Sequence, residues 1–306
     1  MLKYVGKRIL GIIPTILLIS IFVFMFVHLI PGDPARLVAG DEASIETVEM
    51  IREKLGLNKP IIVQYFNWMK NALHGDLGNS IKTGKPVMYE IGLRYKNTIK
   101  LAGITIVWGV LVGLIIGVWA GTHSSKWQDY TGMTLSIAGQ SIPSFWIGLM
   151  LIMVVSVKWR LLPVSGSDTW KHFILPVVTL SISLSATVAR FTRSSILEEL
   201  KSDYARTARA KGLKEKVVIW KHIFRNSMIS VVTVVGLQFG HLLGGSVLVE
   251  SVFGLSGLGS LMVDSISNRD YFMIQALILI FSLHFVVINL LVDILYALLN
   301  PEIKFE

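Results

Sequence analysis

Residues 101–121 read LAGITIVWGVLVGLIIGVWAG, 21 positions without a charged side chain. An α-helix rising 1.5 Å per residue needs about 20 such residues to cross roughly 30 Å of hydrocarbon. Working outward from this stretch, five more uncharged runs occur, at 9–30, 132–157, 173–189, 227–249 and 272–292. No water reaches that depth to pair with the backbone, so each run is expected to be a helix. The short alternating segments of a membrane barrel are not what the pattern shows. The fold class is all-α, an integral membrane protein with six transmembrane helices.

Composition points the same way. Of 306 residues 53% are hydrophobic and 16% charged, with a mean hydropathy of +0.62, whereas soluble domains carry about 25% charged residues. Cysteine is absent, which excludes disulfides, thiolate metal sites and a cysteine nucleophile. The basic start, Lys3, Lys7 and Arg8, would suit a signal peptide, but the apolar run behind it is longer than a signal core and further spans follow.

The net charge of +9 sets the orientation. With both termini cytoplasmic, 15 of the 29 Lys and Arg lie inside, ten of them at 190–226, against four in the two short outer connections. That asymmetry is the positive-inside rule, and it predicts N-in, C-in. The outer loop at 31–100 holds ten more basic residues, yet loops of that length translocate largely regardless of charge. Membrane topology thus explains the charge without nucleic acid. The chain divides into a cytoplasmic N-terminus and first span (1–30), an extracytoplasmic loop domain with short helices (31–100), and a five-span core (101–306) with a cytoplasmic loop at 191–226.

The outer loop carries start and stop signals. Val48, Ile51 and Leu55 share a helical face, with Gly56 placed to end the helix, and a second amphipathic run at 61–73 sets Tyr65, Trp68, Met69 and Ala72 on one side. This second helix is expected at the membrane interface or packed on the spans. Pro31-Gly32-Asp33-Pro34 terminates the first span.

The inner loop reads as helix, glycine break, helix. Ser195 and Glu198 have capping-box spacing, the helical pattern continues through Tyr204, Ala205 and Ala208 to Gly212, and another run covers 216–225. Positive-inside charge accounts for its basic residues. The small residues Ala205, Thr207, Ala208 and Ala210 leave the backbone bare at the turn, which predicts an elbow against which a partner docks.

These residues, in order, resemble the membrane permease subunit of binding-protein-dependent ABC importers, in the dipeptide, oligopeptide and nickel group. The resemblance spans the chain: Pro14 in the first span, Pro31 to Pro34, Leu55-Gly56-Leu57 with Pro60, Gln64-Tyr65, Gly75-Asp76-Leu77-Gly78, Ile142-Pro143, the run from Asp203 to Gly212, His222 to Asn226, Gly254 to Gly259, Arg269-Asp270-Tyr271 and Asn300-Pro301. It implies the type I importer permease fold. It also makes the stretch ending at Gly212 similar to the EAA loop, whose short helix sits on an ATP-binding subunit. The three motif letters fall on Arg206, Thr207 and Ala208, and the usual downstream I-x-L-P falls on His222, Ile223, Phe224 and Arg225. Both departures resemble the variant of the peptide and nickel group. The ATPase-coupling residues so implied are Tyr204, Ala205, Arg206, Thr207, Ala208 and Gly212.

The resemblance further implies a homologous second permease subunit, two cytoplasmic ATP-binding subunits and an extracytoplasmic solute-binding protein as partners, beside membrane lipid. The chain has no G-x-x-x-x-G-K-[ST] phosphate loop, so no cofactor and no catalytic residue is expected in it, and ATP with Mg would be bound by the partner subunits. The resemblance places Gly254 to Gly259 near the path on the outer side, and we read that stretch as a re-entrant or gating turn.

Polar groups at membrane depth are functional candidates because they are costly unless they face a cavity or a partner. Gln140 and Ser141 precede Pro143, and Gln238 and His241 share a helical face. Uncharged polar groups suit a passage that must hold a solute weakly, so these four are candidates for the translocation path. Gly236, Gly240, Gly244 and Gly245 read as helix packing, and His28, His284 and Asn289 as interhelical hydrogen bonds. The scattered histidines make no metal-binding pattern. The substrate is expected to be a dipeptide, oligopeptide or glutathione-like peptide, with nickel or a nickel chelate as the alternative. An ion-coupled secondary transporter would need broken helices and buried charge at mid-membrane, and an intramembrane hydrolase a nucleophile with its base, for which only His241 beside Ser246 offers itself.

Overall fold

In the computed structural model, which describes residues 2–29, 33–40 and 42–299, each of the six uncharged runs is helical over its described residues, the third apart from residues 142–143. Among the described residues the β content is one isolated pairing, Asn79 with Pro86. Pro31, Gly32, Asn300 and Pro301 lie outside the described residues, as does the side chain of His241.

The first run is α1 (Leu2–Leu29), followed in the outer segment by α2 (Pro34–Ala39), α3 (Ile45–Lys54) and α4 (Ile61–Leu73). Helix α2 was not foreseen: Asp33 accepts a hydrogen bond from the Ala35 amide at 3.1 Å, and Pro34 starts the helix, where its missing donor costs nothing. Ser44 caps α3 through the Thr47 amide at 3.2 Å, and Gly56 at φ +69° ends it. Helix α4 packs on α1, with Tyr65 Oη bonded to Ser20 Oγ at 2.8 Å and both Tyr65 and Trp68 against Phe24.

Helix α5 (Val87–Thr122) starts well before its uncharged run, so residue 100 falls inside it. It packs along α8 (Lys171–Glu199) through a stripe of glycines spaced four apart. A Cβ on Gly109 would lie 2.6 Å from Leu184, one on Gly113 2.6 Å from Val188, one on Gly117 2.5 Å from Thr192, and one on Gly121 3.0 Å from Ile196. Small residues at this spacing let two backbones approach closely where no hydrophobic effect can drive helices together. Helix α8 is the centre of the bundle, with 72% of its apolar window buried against 33% for α5 and 11% for the last helix.

The third run is not one straight crossing. Helix α6 (Trp127–Ser141) ends where Ile142 turns extended (φ −91°, ψ 128°) ahead of Pro143, and α7 (Ser144–Leu151), continued by a π-helical stretch at Ile152–Lys158, leaves at 98°. Proline disfavours a helical residue before it and removes a donor, which is why the chain breaks here. By length and apolarity, three of the described helices can cross a membrane unbroken, α5, α8 and Tyr271–Leu295. Two bent pairs raise the number to five, and α1 adds a shorter apolar run, Leu10–Phe26. Each of the six expected spans thus has a helical run, the third bent by 98° and the fifth by 43°, and among the described residues the number of full crossings by length and apolarity is three, or five with the bent pairs.

The inner loop also differs from expectation. Helix α8 runs on to Glu199, so Ser195 caps nothing; it is buried mid-helix and donates to the Ser227 carbonyl at 3.4 Å. The helix continues because nothing breaks it once its apolar part has ended. Ser202, in extended conformation, instead precedes α9 (Asp203–Ala210). Helix α10 (Glu215–Val217) and a π-helical stretch at Val218–Ile223 lead into α11 (Phe224–Val252), which bends by 43° between Met228 and Ser230, and α12 (Leu258–Ser267) and α13 (Tyr271–Leu299) follow.

Candidate coupling elbow and translocation cavity

Helix α9 hangs below the bundle with one face turned in. Ala205 and Ala208 are buried in a cluster with Ile196, Val218 and Ile223, while Arg206, Thr207 and Ala210 are exposed. This corrects one expectation: Ala205 and Ala208 are small to fit their own chain, and the outward surface is made by the residues between them. Gly212 closes the elbow at φ +75°, with nothing within 4 Å of where a Cβ would stand. Arg209 reaches across the turn to Glu215, its Nε and Nη2 donating at 3.0 and 2.8 Å.

Three ionisable groups of the elbow are shifted, Arg209 upward by its hydrogen bonds to Glu215. Arg209 holds the Glu215 carboxyl below its ordinary value. Burial pushes the Tyr204 phenol up, helped by the hydrogen bond it donates to Glu199. Val218 and Ile223 of the π-helical stretch are themselves fully buried against α9, so the elbow is packed on the root of α11.

A half-open hollow of about 260 Å³ lies between the α6–α7 break, α8 and α11. Gln140, Ser144, Ser183 and Gln238 give it polar walls, and Leu180 and Gly245 belong to its apolar part. Gln140 Nε2 donates to Thr187 Oγ1 at 3.2 Å. Two of the four expected path residues, Gln140 and Gln238, thus meet in one cavity. Ser141 does not line it; its hydroxyl bonds back to the Ile137 carbonyl at 2.9 Å. His241 lies on α11, its side chain outside what the structure describes.

The glycines of α11 divide. A Cβ on Gly236 would stand 2.1 Å from Val292 and one on Gly240 2.3 Å from Phe285, so these two are packing residues, as expected. Gly244 and Gly245 have no such neighbours: Gly245 lines the cavity, and Gly244 a second hollow of about 320 Å³ with Ile19, Phe281 and Phe285. His28 and His284 make the interhelical bonds expected of them, to Gln64 at 3.3 Å and Tyr95 at 2.6 Å. Asp293 pairs with Arg8 at 2.7 Å.

Sequence reasoning missed a buried carboxylate. Glu250 is fully buried one residue past the fifth uncharged run; it accepts from Thr98 Oγ1 at 2.8 Å and from the Gly259 and Ser260 amides at 2.6 and 3.2 Å. A Cβ on Gly257 would lie 2.3 Å from its Oε2 and one on Gly259 2.9 Å. These glycines of the 254–259 loop are a seat for that carboxylate. No local signal in the sequence marks it, because an acid beside an apolar run reads as the end of a span.

Comparison with known proteins gives a consistent picture. The family described as "Binding-protein-dependent transport system inner membrane component" matches residues 113–305, and its N-terminal companion, "Binding-prot-dependent transport system membrane comp, N-term", matches residues 1–102. The glutathione transport system permease protein GsiC of Pectobacterium atrosepticum is 50% identical over 306 residues, the whole of both chains, and that of Escherichia coli K12 is 49% identical over the same length. Among solved structures, the inward-facing MetNI methionine ABC transporter superposes with a TM-score of 0.60 at 17% identity, over 70% of this chain and 97% of that one. At that identity the likeness speaks for the fold.

Proposed function

Since the chain belongs to the inner-membrane components of binding-protein-dependent transport systems, we propose that it forms, with a homologous second permease, the path by which small peptides of the glutathione kind enter the cell. It is a multi-pass permease of the bacterial inner membrane, and ATP hydrolysis belongs to partner subunits. In this reading two ATPase subunits, holding ATP and Mg, dock on the exposed face of α9, and an extracytoplasmic binding protein delivers the solute to the outer segment.

The elbow carries the reading. A short helix is fixed by a buried inner face to α8 and the root of α11, and it presents Arg206, Thr207 and Gly212 outward. Nucleotide can shift the spans only if the two ATPase states differ in affinity for two membrane conformations, and such an attachment lets them. The cavity walled by Gln140 and Gln238 suits a peptide passing through, because amides can donate to and accept from a peptide backbone without holding a charge.

Glutathione ranks above nickel or a nickel chelate because the full-length relatives are named for it. The test is to isolate the chain from its native membrane with its copurifying subunits, reconstitute it in vesicles, and measure ATP-dependent uptake of labelled glutathione and of Ni²⁺. Copurified P-loop ATPases and a second permease, with glutathione uptake that needs ATP, support the reading. Uptake by the chain alone, or of Ni²⁺ only, overturns it.

A further inference from the structure

Helix α12 takes its N-terminal cap from other helices. Its first turn follows Gly257, which has no side chain to offer. The Leu258 amide instead donates to Thr98 Oγ1 of α5 at 2.7 Å, and the Gly259 and Ser260 amides to Glu250 of α11 at 2.6 and 3.2 Å. Thr98 in turn donates to Glu250 at 2.8 Å, and Asn97 donates to the Ser256 carbonyl at 2.8 Å. Three helices meet at one carboxylate.

Past the other end of α12, the Asp270 amide donates back to the Ser265 carbonyl at 2.8 Å. Asp270, also buried, accepts from Ser80 Oγ and from the Lys82 amide of the outer segment, and from the Met273 amide at the start of α13. A helix end so bonded cannot shift without stranding a buried carboxylate, which costs far more than losing an exposed contact.

We infer that Glu250 and Asp270 make α12 a rigid lintel across the outer ends of α5, α11 and α13, so that a load placed on the outer face is passed to the spans. Glu250 is then a positioning residue of the transport cycle. The inference rests on the importer reading above, in which the binding protein supplies the load.

The test uses the assembled complex in nanodiscs, with ATPase activity measured with and without binding protein and glutathione. Glu250→Gln places an amide donor against two backbone donors. Thr98→Val removes the hydroxyl at constant shape, and Thr98→Ser restores it. The expected result is that basal ATPase activity stays within about twofold while the stimulated increment falls about tenfold in Glu250→Gln and Thr98→Val and is kept in Thr98→Ser, the size of a typical coupling between sites. Should Glu250→Gln not assemble, the Thr98 pair decides alone. Equal loss of basal and stimulated activity would reduce the carboxylate to a structural role and overturn the inference, as would full stimulation in Thr98→Val. A wild-type complex that neither responds to binding protein nor imports peptide would overturn the importer reading and this inference together.

Discussion

Asp129 of α6 is gripped at two points by Arg193 of α8: Nη2 donates to Oδ2 at 2.7 Å and Nε to Oδ1. The carboxylate is 5% exposed and also accepts from the Ser125 amide at 3.1 Å. Removing the acid leaves the Arg193 charge, itself 29% exposed, with only water to compensate it, so Asp129→Ala is expected to destabilise the permease by about 1–2 kcal/mol. Thermal unfolding in detergent measures it. The swapped pair, Asp129→Arg with Arg193→Asp, should recover part of the loss; no recovery would mean that the site is sensitive to shape and not to pairing.

The glycine stripe of α5 gives a graded prediction. A Cβ on Gly117 would meet the Thr192 Cβ at 2.5 Å and the Ala189 carbonyl at 2.7 Å, and backbone cannot yield as a side chain does. Gly117→Ala is expected to force α5 from α8 and cost about 1–3 kcal/mol, as overpacking does. Gly92 of the same helix meets nothing within 4 Å, so Gly92→Ala should be neutral or stabilising by up to about 1 kcal/mol through helix propensity. Equal behaviour of the two variants in size-exclusion and thermal assays would refute the stripe.

How much of this could be read from the sequence follows from which forces leave a one-dimensional trace. Apolar length does, so the six helical runs were legible. So does Gly56, because a left-handed turn is a local demand. The break at Ile142-Pro143 was visible as a dipeptide, but its 98° angle is set by packing against α8 and α11. Gln140 and Gln238 could be named singly as costly polar groups at depth; their meeting in one cavity depends on the fold. Glu250 was missed because a carboxylate beside an apolar run reads as a span boundary. Only the partners that enclose it, Thr98 far upstream and the amides of α12, show that it is buried. Ala205 and Ala208 were misread because small size serves an outward docking face and an inward packed one equally well.

Gly245 offers a way to close the cavity without breaking the bundle. A Cβ there has Leu180 at 4.0 Å and no nearer neighbour, whereas one on Gly236 would stand 2.1 Å from Val292. Gly245→Leu is expected to fold and assemble normally and to cut uptake about tenfold or more by filling space the solute needs, while Gly236→Ala loses assembled protein. Normal glutathione uptake by Gly245→Leu would place the path elsewhere.

The elbow should loosen in acid. Glu215 has its pKa lowered by Arg209, so the folded elbow holds fewer protons than the unfolded one between the two values. Stability from this pair is full above the unfolded glutamate value of about 4.3 and is lost as pH falls through the folded value. The protection factor at 209–215, exchange divided by its intrinsic rate at each pH, should be flat from neutral pH to about 5 and fall below about 4. Both side chains are more than a third exposed, so the effect is local and salt-sensitive. In Glu215→Gln the acid-dependent step should vanish; if it persists, another group controls the turn.

Gly212 separates folding from coupling. Its φ of +75° costs a non-glycine residue about 1 kcal/mol, and the space around its missing Cβ is open, so a large side chain there harms the isolated permease little. It would, however, stand on the outward side of α9, where the proposed ATPase contact needs close approach. Gly212→Trp is therefore expected to yield a stable, membrane-inserted permease that loses ATP-driven uptake, while Gly212→Ala keeps most of it. Uptake at the normal rate in Gly212→Trp would show that the ATPase docks elsewhere, and loss of the folded permease in Gly212→Ala would show that the turn, not the docking, makes glycine necessary.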